Sequence, residues 1–324
     1  MTKKINIGVI GCANIADKYV LPALLQSANF NIVGIASRNK EKADDFAVKY
    51  RTKGYHSYEN LLENPLLQAV YIPLPNSMHY EWISKSLEIG LHVLVEKSMA
   101  CSYPDVLKLN NLAKEKNLVL IENFQFRFHS QLKYIKNLVD DGALGELRSL
   151  RSCFGFPPFQ DKNNIRYNKN LGGGALYDAG AYPIKISQIF LGENLYADSA
   201  DLSFSKNSNV DIWGSAFLKH REGGVAAQLA FGFDNFYQNS LELWGSKGKL
   251  FTNRIFTAPS EYEPVIELES EKGKKTVRLS PDHHFENMLN HFFNNITNRD
   301  NLISEYSQNI NQARLISEIL KCAV

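Results

Sequence analysis

Three groups of residues have the types and spacing to do chemistry. The first is Gly11-Cys12-Ala13-Asn14-Ile15-Ala16, spaced as G-x-G-x-x-G/A directly after an apolar run, with alanine at the second and third small positions. Gly11 would make the tight turn, Ala13 would let the backbone approach a pyrophosphate, and Ala16 would let helix and strand pack closely. The helix start behind them supplies amide donors and partial positive charge. The second is Lys97, in Val95-Glu96-Lys97-Ser98. A lysine partly desolvated at a strand end can hold a substrate hydroxyl and bias a neighbouring acid. The third is Gly172-Gly173-Gly174, which allows close approach to a ligand, followed by Asp178 and Tyr182. Four residues apart, these two share one face of a helix. A phenol held near a cationic lysine can exchange a proton with an alcohol or carbonyl oxygen. Taken singly, each pattern also suits an ordinary structural turn.

The elements that must position these groups follow from periodicity. Strand candidates are Ile5–Ile10, Ile32–Ala36, Ala69–Ile72, His92–Val95 and Val119–Ile121. Helical stretches separate them, at Ala13–Ser27, Lys40–Tyr50, Met78–Ile89 and Tyr103–Lys116. Strand–helix alternation with short connections implies a doubly wound parallel sheet, an α/β Rossmann domain over residues 1–123. After that the pattern changes. A helix at Ser130–Val139, a strand at Glu146–Phe156 and a helix at Gly174–Leu191 precede strands at Trp213–His220, Val225–Phe233, Ser240–Trp244 and Val265–Glu269. Gly223-Gly224 and Gly245–Gly248 punctuate hairpins, and helices at Phe285–Thr297 and Tyr306–Lys321 close the chain. Residues 124–324 therefore read as an α+β domain on a mainly antiparallel sheet.

In an open parallel sheet, ligands sit beyond the carboxyl ends of the strands. That places Pro73-Leu74-Pro75-Asn76-Ser77-Met78-His79, after the strand at 69–72, and Glu96-Lys97 beside the nicotinamide position. The end of the second strand selects the dinucleotide. Where an NAD site has Asp or Glu, this chain has Ala36-Ser37-Arg38-Asn39-Lys40, with Ser37 26 positions after Gly11. Ser37 can hydrogen-bond to a 2′-phosphate and Arg38 can pair with it and stack on adenine, which favours NADP over NAD. The bland alternative is a solvated arginine at a helix start.

Composition excludes several classes. Hydrophobic residues are 44% and charged residues 22% of 324, with 36 Lys+Arg against 34 Asp+Glu. That is a globular chain with no basic footprint for nucleic acid. No apolar run is long enough to span a membrane, and Met1-Thr2-Lys3-Lys4 with a six-residue apolar run reads as a first strand rather than a signal peptide. Cys12, Cys101, Cys153 and Cys322 are scattered without metal or disulfide spacing, which points to a reducing cytoplasm and no metal.

The glycine turn, Pro73–His79, Glu96-Lys97-Ser98, Phe126-Arg127-Phe128-His129 and Gly172–Tyr182, in that order, resemble the glucose-fructose oxidoreductase / inositol dehydrogenase (Gfo/Idh/MocA) family over nearly the whole chain. The resemblance implies that Lys97 contacts nicotinamide and substrate, and that Tyr182, paired with Asp178, is the proton donor or acceptor. It places Gly11, Cys12, Ala13, Asn14, Ile15, Ser37, Arg38, Pro73, Leu74, Asn76, His79 and Glu96 on the cofactor side, and Arg127 along the substrate cleft. It also implies that the sheet of residues 124–324 is open, that this domain serves substrate binding and oligomerisation, and that the oligomer, a homodimer or homotetramer, is built through that sheet. Ser98 departs from the family's proline after Glu-Lys, and Ala13 from its second glycine.

The expected reaction is hydride transfer between NADP(H) and a carbohydrate hydroxyl or ketone, with Lys97 stabilising the oxyanion and Asp178 holding a sugar hydroxyl or orienting the pair. The segment Asn253–Pro259, followed by Glu263-Pro264-Val265, is similar to nucleotide-sugar 3-ketoreductases, which makes Arg166 and Arg254 diphosphate-binding candidates. A free-sugar dehydrogenase or reductase of the aldose or 1,5-anhydrofructose type is the rival. A non-catalytic NADP sensor is the alternative from another class, and the retention of Lys97, Asp178 and Tyr182 argues against it.

Overall fold

The computed structural model of the chain describes residues 4–206, 209–300 and 302–323; Met1-Thr2-Lys3 of the basic start lie outside them. The chain forms two compact units. One comprises the chain up to Asn123 together with Phe285–Ile310, and the other comprises Phe124–His284 with the chain from Asn311 onward. This differs from a single division at 123/124, because a late segment returns to the first unit.

The first unit holds six parallel strands: β1 (Ile5–Ile10), β2 (Phe30–Ala36), β3 (Gly54–Tyr55), β4 (Ala69–Ile72), β5 (His92–Glu96) and β6 (Leu120–Asn123), in the order β3-β2-β1-β4-β5-β6. The central strands are apolar on both faces, as a sheet covered on both sides requires: Ile7, Val9, Val70, Tyr71, Val93 and Leu94 are all fully buried. The crossovers are α1 (Leu21–Gln26), α2 (Lys40–Lys49), α3 (Tyr58–Leu62), α4 (Asn76–Glu88) and α5 (Tyr103–Glu115). Side-chain caps start several of them: Asn39 accepts from the Lys42 amide at 2.8 Å, and Ser102 from the Asp105 amide at 3.2 Å.

The first helix is not the single α-helix expected over Ala13–Ser27. A π-helical turn, Ala16–Val20, precedes α1, with the Leu21 amide reaching back to the Ala16 carbonyl. Pro22 follows at once; its missing N–H and its ring exclude the ordinary α pattern there. The returning segment brings α8 (His284–Asn298) and the first half of α9 (Leu302–Cys322). Aromatic stacking fixes it: Phe285 lies 4.9 Å from Tyr19, and Phe292 5.9 Å from Phe30, centroid to centroid. Asn309 donates to the Leu120 carbonyl at 3.0 Å, and the Tyr306 hydroxyl to that of Leu118.

The second unit is an eight-stranded sheet of β7 (Leu147–Gly155), β8 (Leu195–Phe204), β9 (Asp211–His220), β10 (Ala226–Gly232), β11 (Gln238–Gly245), β12 (Gly248–Asn253), β13 (Val265–Ser270) and β14 (Gly273–Arg278). Its order is β14-β13-β12-β11-β7-β10-β9-β8, antiparallel except for β7 beside β10. One face follows the period of two inward, through Leu150, Phe154, Leu229, Phe231, Leu241 and Leu243, onto α6 (Ser130–Asp140), α7 (Ala181–Leu191) and the end of α9. The border strands β8 and β14 carry Asp, Ser and Lys where central strands carry Leu and Phe, the usual protection of a sheet edge. No helix among the described residues is long and apolar enough to cross a membrane.

Candidate active site

In the first unit, the loops after β1, β2, β4 and β5 gather the predicted cofactor residues at the carboxyl ends of the strands. Gly11 has φ +120°, and a Cβ there would sit 2.8 Å from Leu74 Cδ2, so only glycine lets this turn pass under the Pro73-Leu74 loop. Helical structure begins at Asn14, which leaves the amides of the turn and of the first helical residues without intrahelical acceptors. Cys12 is a quiet member of the turn. Burial pushes its thiol up to about 11, against the lowering influence of Ser37 and Lys42, so it stays protonated.

At the end of β2, Ser37 is buried, its amide donates to the Tyr55 carbonyl at 3.0 Å, and its Oγ accepts from the Asn39 amide at 3.1 Å. Arg38 is exposed and lies near Tyr58, whose phenol is raised above its usual range, chiefly by burial, with the Arg38 cation working against it. Tyr58 was not foreseen: it lies twenty positions beyond Arg38, and nothing local marks it.

His79 is wholly buried, with Nδ1 2.7 Å from the Ser98 carbonyl and Nε2 2.8 Å from the Leu74 carbonyl. Burial pushes this imidazole down to about 4, while the two carbonyls pull the other way, because only the doubly protonated ring has an N–H for each of them. Both nitrogens face backbone carbonyls, so His79 ties the Leu74 loop to the Ser98 loop on the side expected to hold the cofactor. Asn76 joins the same tie, its Oδ1 accepting from the Ser98 amide at 3.2 Å. Glu96 accepts from the Tyr71 hydroxyl and from Asn123 Nδ2, each at 2.7 Å, and its carboxyl is raised by desolvation in spite of them. Lys97 follows directly, half-buried, through a cis peptide bond to Ser98.

In the second unit, the chain from β7 loops through Arg166 and the three glycines into a π-helical turn, Leu176–Gly180, that runs on into α7. The expected single helix again gives way to a wide turn shortly before a proline, here Pro183. Gly174 has φ +119°, and a Cβ there would overlap Asp211 Oδ1. Asp211 is buried and accepts from the Leu176 amide at 2.6 Å and from the Ala175 amide; desolvation raises its carboxyl while these bonds lower it. Asp211 thus holds the start of the helix that carries Asp178 and Tyr182. The sequence offered one signal for it, a carboxylate at the head of an otherwise apolar strand.

Asp178 and Tyr182 do lie together. Asp178 Oδ2 accepts from Arg166 Nε at 2.7 Å, and the Arg166 cation is held above its usual range by Asp178 first, with the Tyr182 phenol close enough to add to this once ionised. The Tyr182 ring is packed among Phe124, Phe126, Phe154 and Phe256 at centroid distances of 5.6, 5.9, 5.0 and 5.5 Å. Arg166 lies over the Phe159 ring at 4.8 Å, and Arg127 over that of Phe128 at 5.2 Å. Arg254 stands apart, with its guanidinium 5.3 Å from the Tyr237 ring and 5.8 Å from that of Tyr262.

Residues 5–124 match the model of an oxidoreductase family with an NAD-binding Rossmann fold, and residues 132–251 match the Gfo/Idh/MocA C-terminal domain. The chain belongs to the Gfo/Idh/MocA family. It is 42% identical over 269 residues to a dTDP-3,4-didehydro-2,6-dideoxy-alpha-D-glucose 3-reductase of Saccharopolyspora spinosa, over 83% of this chain and 80% of that one. A solved 3-ketoreductase from Actinomadura kijaniata, in complex with NADP and TDP-benzene, superposes with a TM-score of 0.94 at 36% identity and covers 98% of each chain. A D-xylose 1-dehydrogenase (NADP(+)) of Haloferax volcanii is 32% identical over 252 residues, over 77% of this chain and 76% of that one.

The residues present fit a phosphorylated dinucleotide. A glycine turn opens onto free amides, and beyond β2 stand a serine and an exposed arginine rather than a carboxylate that would repel the 2′-phosphate.

Proposed function

We propose that the protein is an NADP(H)-dependent reductase of a nucleotide-linked 3-keto-deoxysugar. The observation that carries this reading is Ser37-Arg38 at the end of β2, in a chain aligned almost end to end with dTDP-sugar 3-reductases. NADPH, when bound, supplies the hydride for the keto carbon. The protein's own residues do the rest. The turn at Gly11–Ile15 holds the pyrophosphate, Ser37 and Arg38 hold the 2′-phosphate, and Pro73, Leu74, Asn76 and Glu96 line the nicotinamide side.

Tyr182 donates the proton that the carbonyl oxygen needs as it becomes a hydroxyl, and the Arg166–Asp178 pair beside it steadies the charge left on the phenol oxygen. Lys97 offers its ammonium to the same oxygen as negative charge develops. Asp178 and Arg127 hold sugar hydroxyls. Arg166 is committed to Asp178, which makes Arg254 the better diphosphate partner. The resemblance further supports a cytoplasmic homo-oligomer assembled on the outward face of the eight-stranded sheet, where Trp213 and Trp244 are exposed.

The free-sugar reading keeps one supporting observation, the D-xylose dehydrogenase likeness. NADPH oxidation followed at 340 nm, a wavelength fixed by the nicotinamide itself, separates the two: about a hundredfold higher kcat/KM on dTDP-linked 3-keto sugars than on free sugars is expected, a gap of roughly 2.7 kcal/mol. Equal or greater turnover of free sugars would overturn the assignment. Tyr182→Phe should lose turnover by roughly 100-fold or more while keeping NADPH affinity; an unchanged rate would remove Tyr182 from the chemistry.

A further inference from the structure

The segment that bears Lys97 is held on both sides by the last two residues of β6. In the register of β5 with β6, Val95 faces Glu122 and Glu96 faces Asn123. Neighbouring residues of a strand send their side chains to opposite faces of the sheet. On one face Asn123 Nδ2 donates to Glu96 Oε1 at 2.7 Å, one residue before Lys97. On the other, Glu122 Oε1 accepts from the Met99 amide at 2.8 Å, two residues after Lys97. Glu122 is 2% exposed, on a strand whose preceding residues, Leu120 and Ile121, are apolar and buried. A carboxyl group is costly to bury, and the packing of an apolar strand does not ask for one. Met99 is buried too, and buried amides back it. Its Sδ accepts from Asn110 Nδ2 at 3.7 Å, and Asn110 Oδ1 accepts at 3.0 Å from Asn309 on α9.

We propose that Glu122 is a positioning residue for Lys97: by fixing the Met99 amide it sets the backbone from which the lysine reaches the reacting oxygen. The inference rests on the role given to Lys97 above and adds a residue to it. Lys97 lies between two clamps. Behind it, Glu96 is held by Tyr71 and Asn123; ahead of it, the Ser98 amide is held by Asn76 and the Met99 amide by Glu122. A lysine is a point charge on a flexible stem, so where its ammonium can be aimed depends on the backbone beneath it. Such a charge helps the transition state only while it is aimed, and a displacement of about 1 Å can cost about 100-fold in rate. What the clamp needs is an acceptor oxygen at the right reach. Glutamine keeps that oxygen at the amide, aspartate draws it back, and leucine removes it.

Hydrogen exchange followed by mass spectrometry on the protein without cofactor reads the clamp directly. Glu122→Leu should speed exchange of the peptide containing Met99 by about 10-fold or more, and Glu122→Gln should leave it as in wild type. Single-turnover NADPH oxidation, on the keto sugar that wild type reduces, reads the consequence. Glu122→Leu should lower this rate about 10- to 100-fold with NADPH affinity within about 2-fold of wild type, and Glu122→Gln should restore it. The deciding measurement is a double-mutant cycle with Lys97→Met. Because Glu122 acts through Lys97, Glu122→Leu should cost less than about 3-fold once the lysine is gone, whereas a merely structural loss would be the same in both backgrounds. If Glu122→Leu does not fold, Glu122→Asp takes its place in the cycle and should show a smaller loss with the same dependence on Lys97. Equal losses with and without Lys97, or unchanged exchange at Met99, would overturn the proposal and leave the role of Lys97 standing. A Lys97→Met variant as fast as wild type would bring down that role and this proposal with it.

Discussion

Asp211 is the residue whose removal most directly tests whether the start of the Tyr182 helix is held in place rather than merely tolerated. Asp211→Ala strips the acceptor from the Leu176 amide, now at 2.6 Å, and from the Ala175 amide, inside a buried site where water cannot replace it readily. An unsatisfied buried amide costs about 1–3 kcal/mol, and two of them about twice that. Against this stands a relief: the carboxylate is itself desolvated, enough to raise its pKa, and that cost vanishes with it. The balance is a loss of about 2 kcal/mol, or roughly 4–8 °C in Tm for a unit of this size.

Asp211→Asn separates the two contributions. It keeps an oxygen facing the amides and sheds the charge, so it should stay within about 1 kcal/mol of wild type. Thermal unfolding and steady-state kinetics on the three proteins decide the matter. Asp211→Ala should also lower kcat, because Asp178 and Tyr182 sit two and six residues beyond the released amide. If the alanine variant unfolds and turns over as wild type does, the anchoring role is wrong. If asparagine is as damaging as alanine, the charge matters and not the acceptor.

Two further perturbations address the first unit. Ser37→Asp combined with Arg38→Leu should lower the NADPH-to-NADH ratio of kcat/KM by roughly 100-fold, the worth of one to two charge-assisted bonds, and an unchanged ratio would remove these residues from cofactor choice. His79 titrates near 6.5 in the unfolded chain and near 4 when folded, so the unfolded state takes up its proton first as pH falls. Its contribution to stability should therefore be intact above pH 7 and fall by about 2 kcal/mol by pH 5, as seen in urea unfolding at a series of pH values. His79→Gln should flatten that slope, and a variant with the wild-type slope would contradict a neutral, buried imidazole.

What could be read from the chain alone was whatever is local in it. Small residues after β1, the absence of a carboxylate after β2, and Asp178 four before Tyr182 are each visible within a few positions. The partners that make those residues work are not. Tyr58 meets Arg38 across the β2–β3 edge, Asn123 meets Glu96 from the neighbouring strand, and Asp211 meets a helix start 35 positions earlier. His79, in the first turn of α4, is a further case: nothing local shows that the Leu74 and Ser98 carbonyls face its two nitrogens. The edge strands β8 and β14 were passed over for a related reason. Their polarity protects a sheet border, and polarity is also what a loop looks like. The helices α8 and α9 were recognised as helices, but an amphipathic face carries no address: only Phe292 against Phe30 and Phe285 against Tyr19 show which unit claims them.

The two arginines show how far residue type underdetermines role. Arg166 and Arg254 are equivalent candidates for a diphosphate as long as only their identity is known. In the folded chain Arg166 forms an ion pair with Asp178 and carries Tyr182 in its field, so recruiting it to a phosphate would strip Asp178 of its counter-charge and leave a carboxylate facing the reacting group. Among the described residues Arg254 forms no such ion pair; its guanidinium lies near the rings of Tyr237 and Tyr262, which attract a cation without neutralising it. An incoming dianion therefore gains a full positive charge at Arg254 and would have to compete for one at Arg166. The same reasoning favours the proposed place of the pair Arg166–Asp178 beside the proton transfer. Its charges cancel at a distance and act only at contact range, which suits a group that must bias one phenol without drawing the diphosphate into the reacting centre.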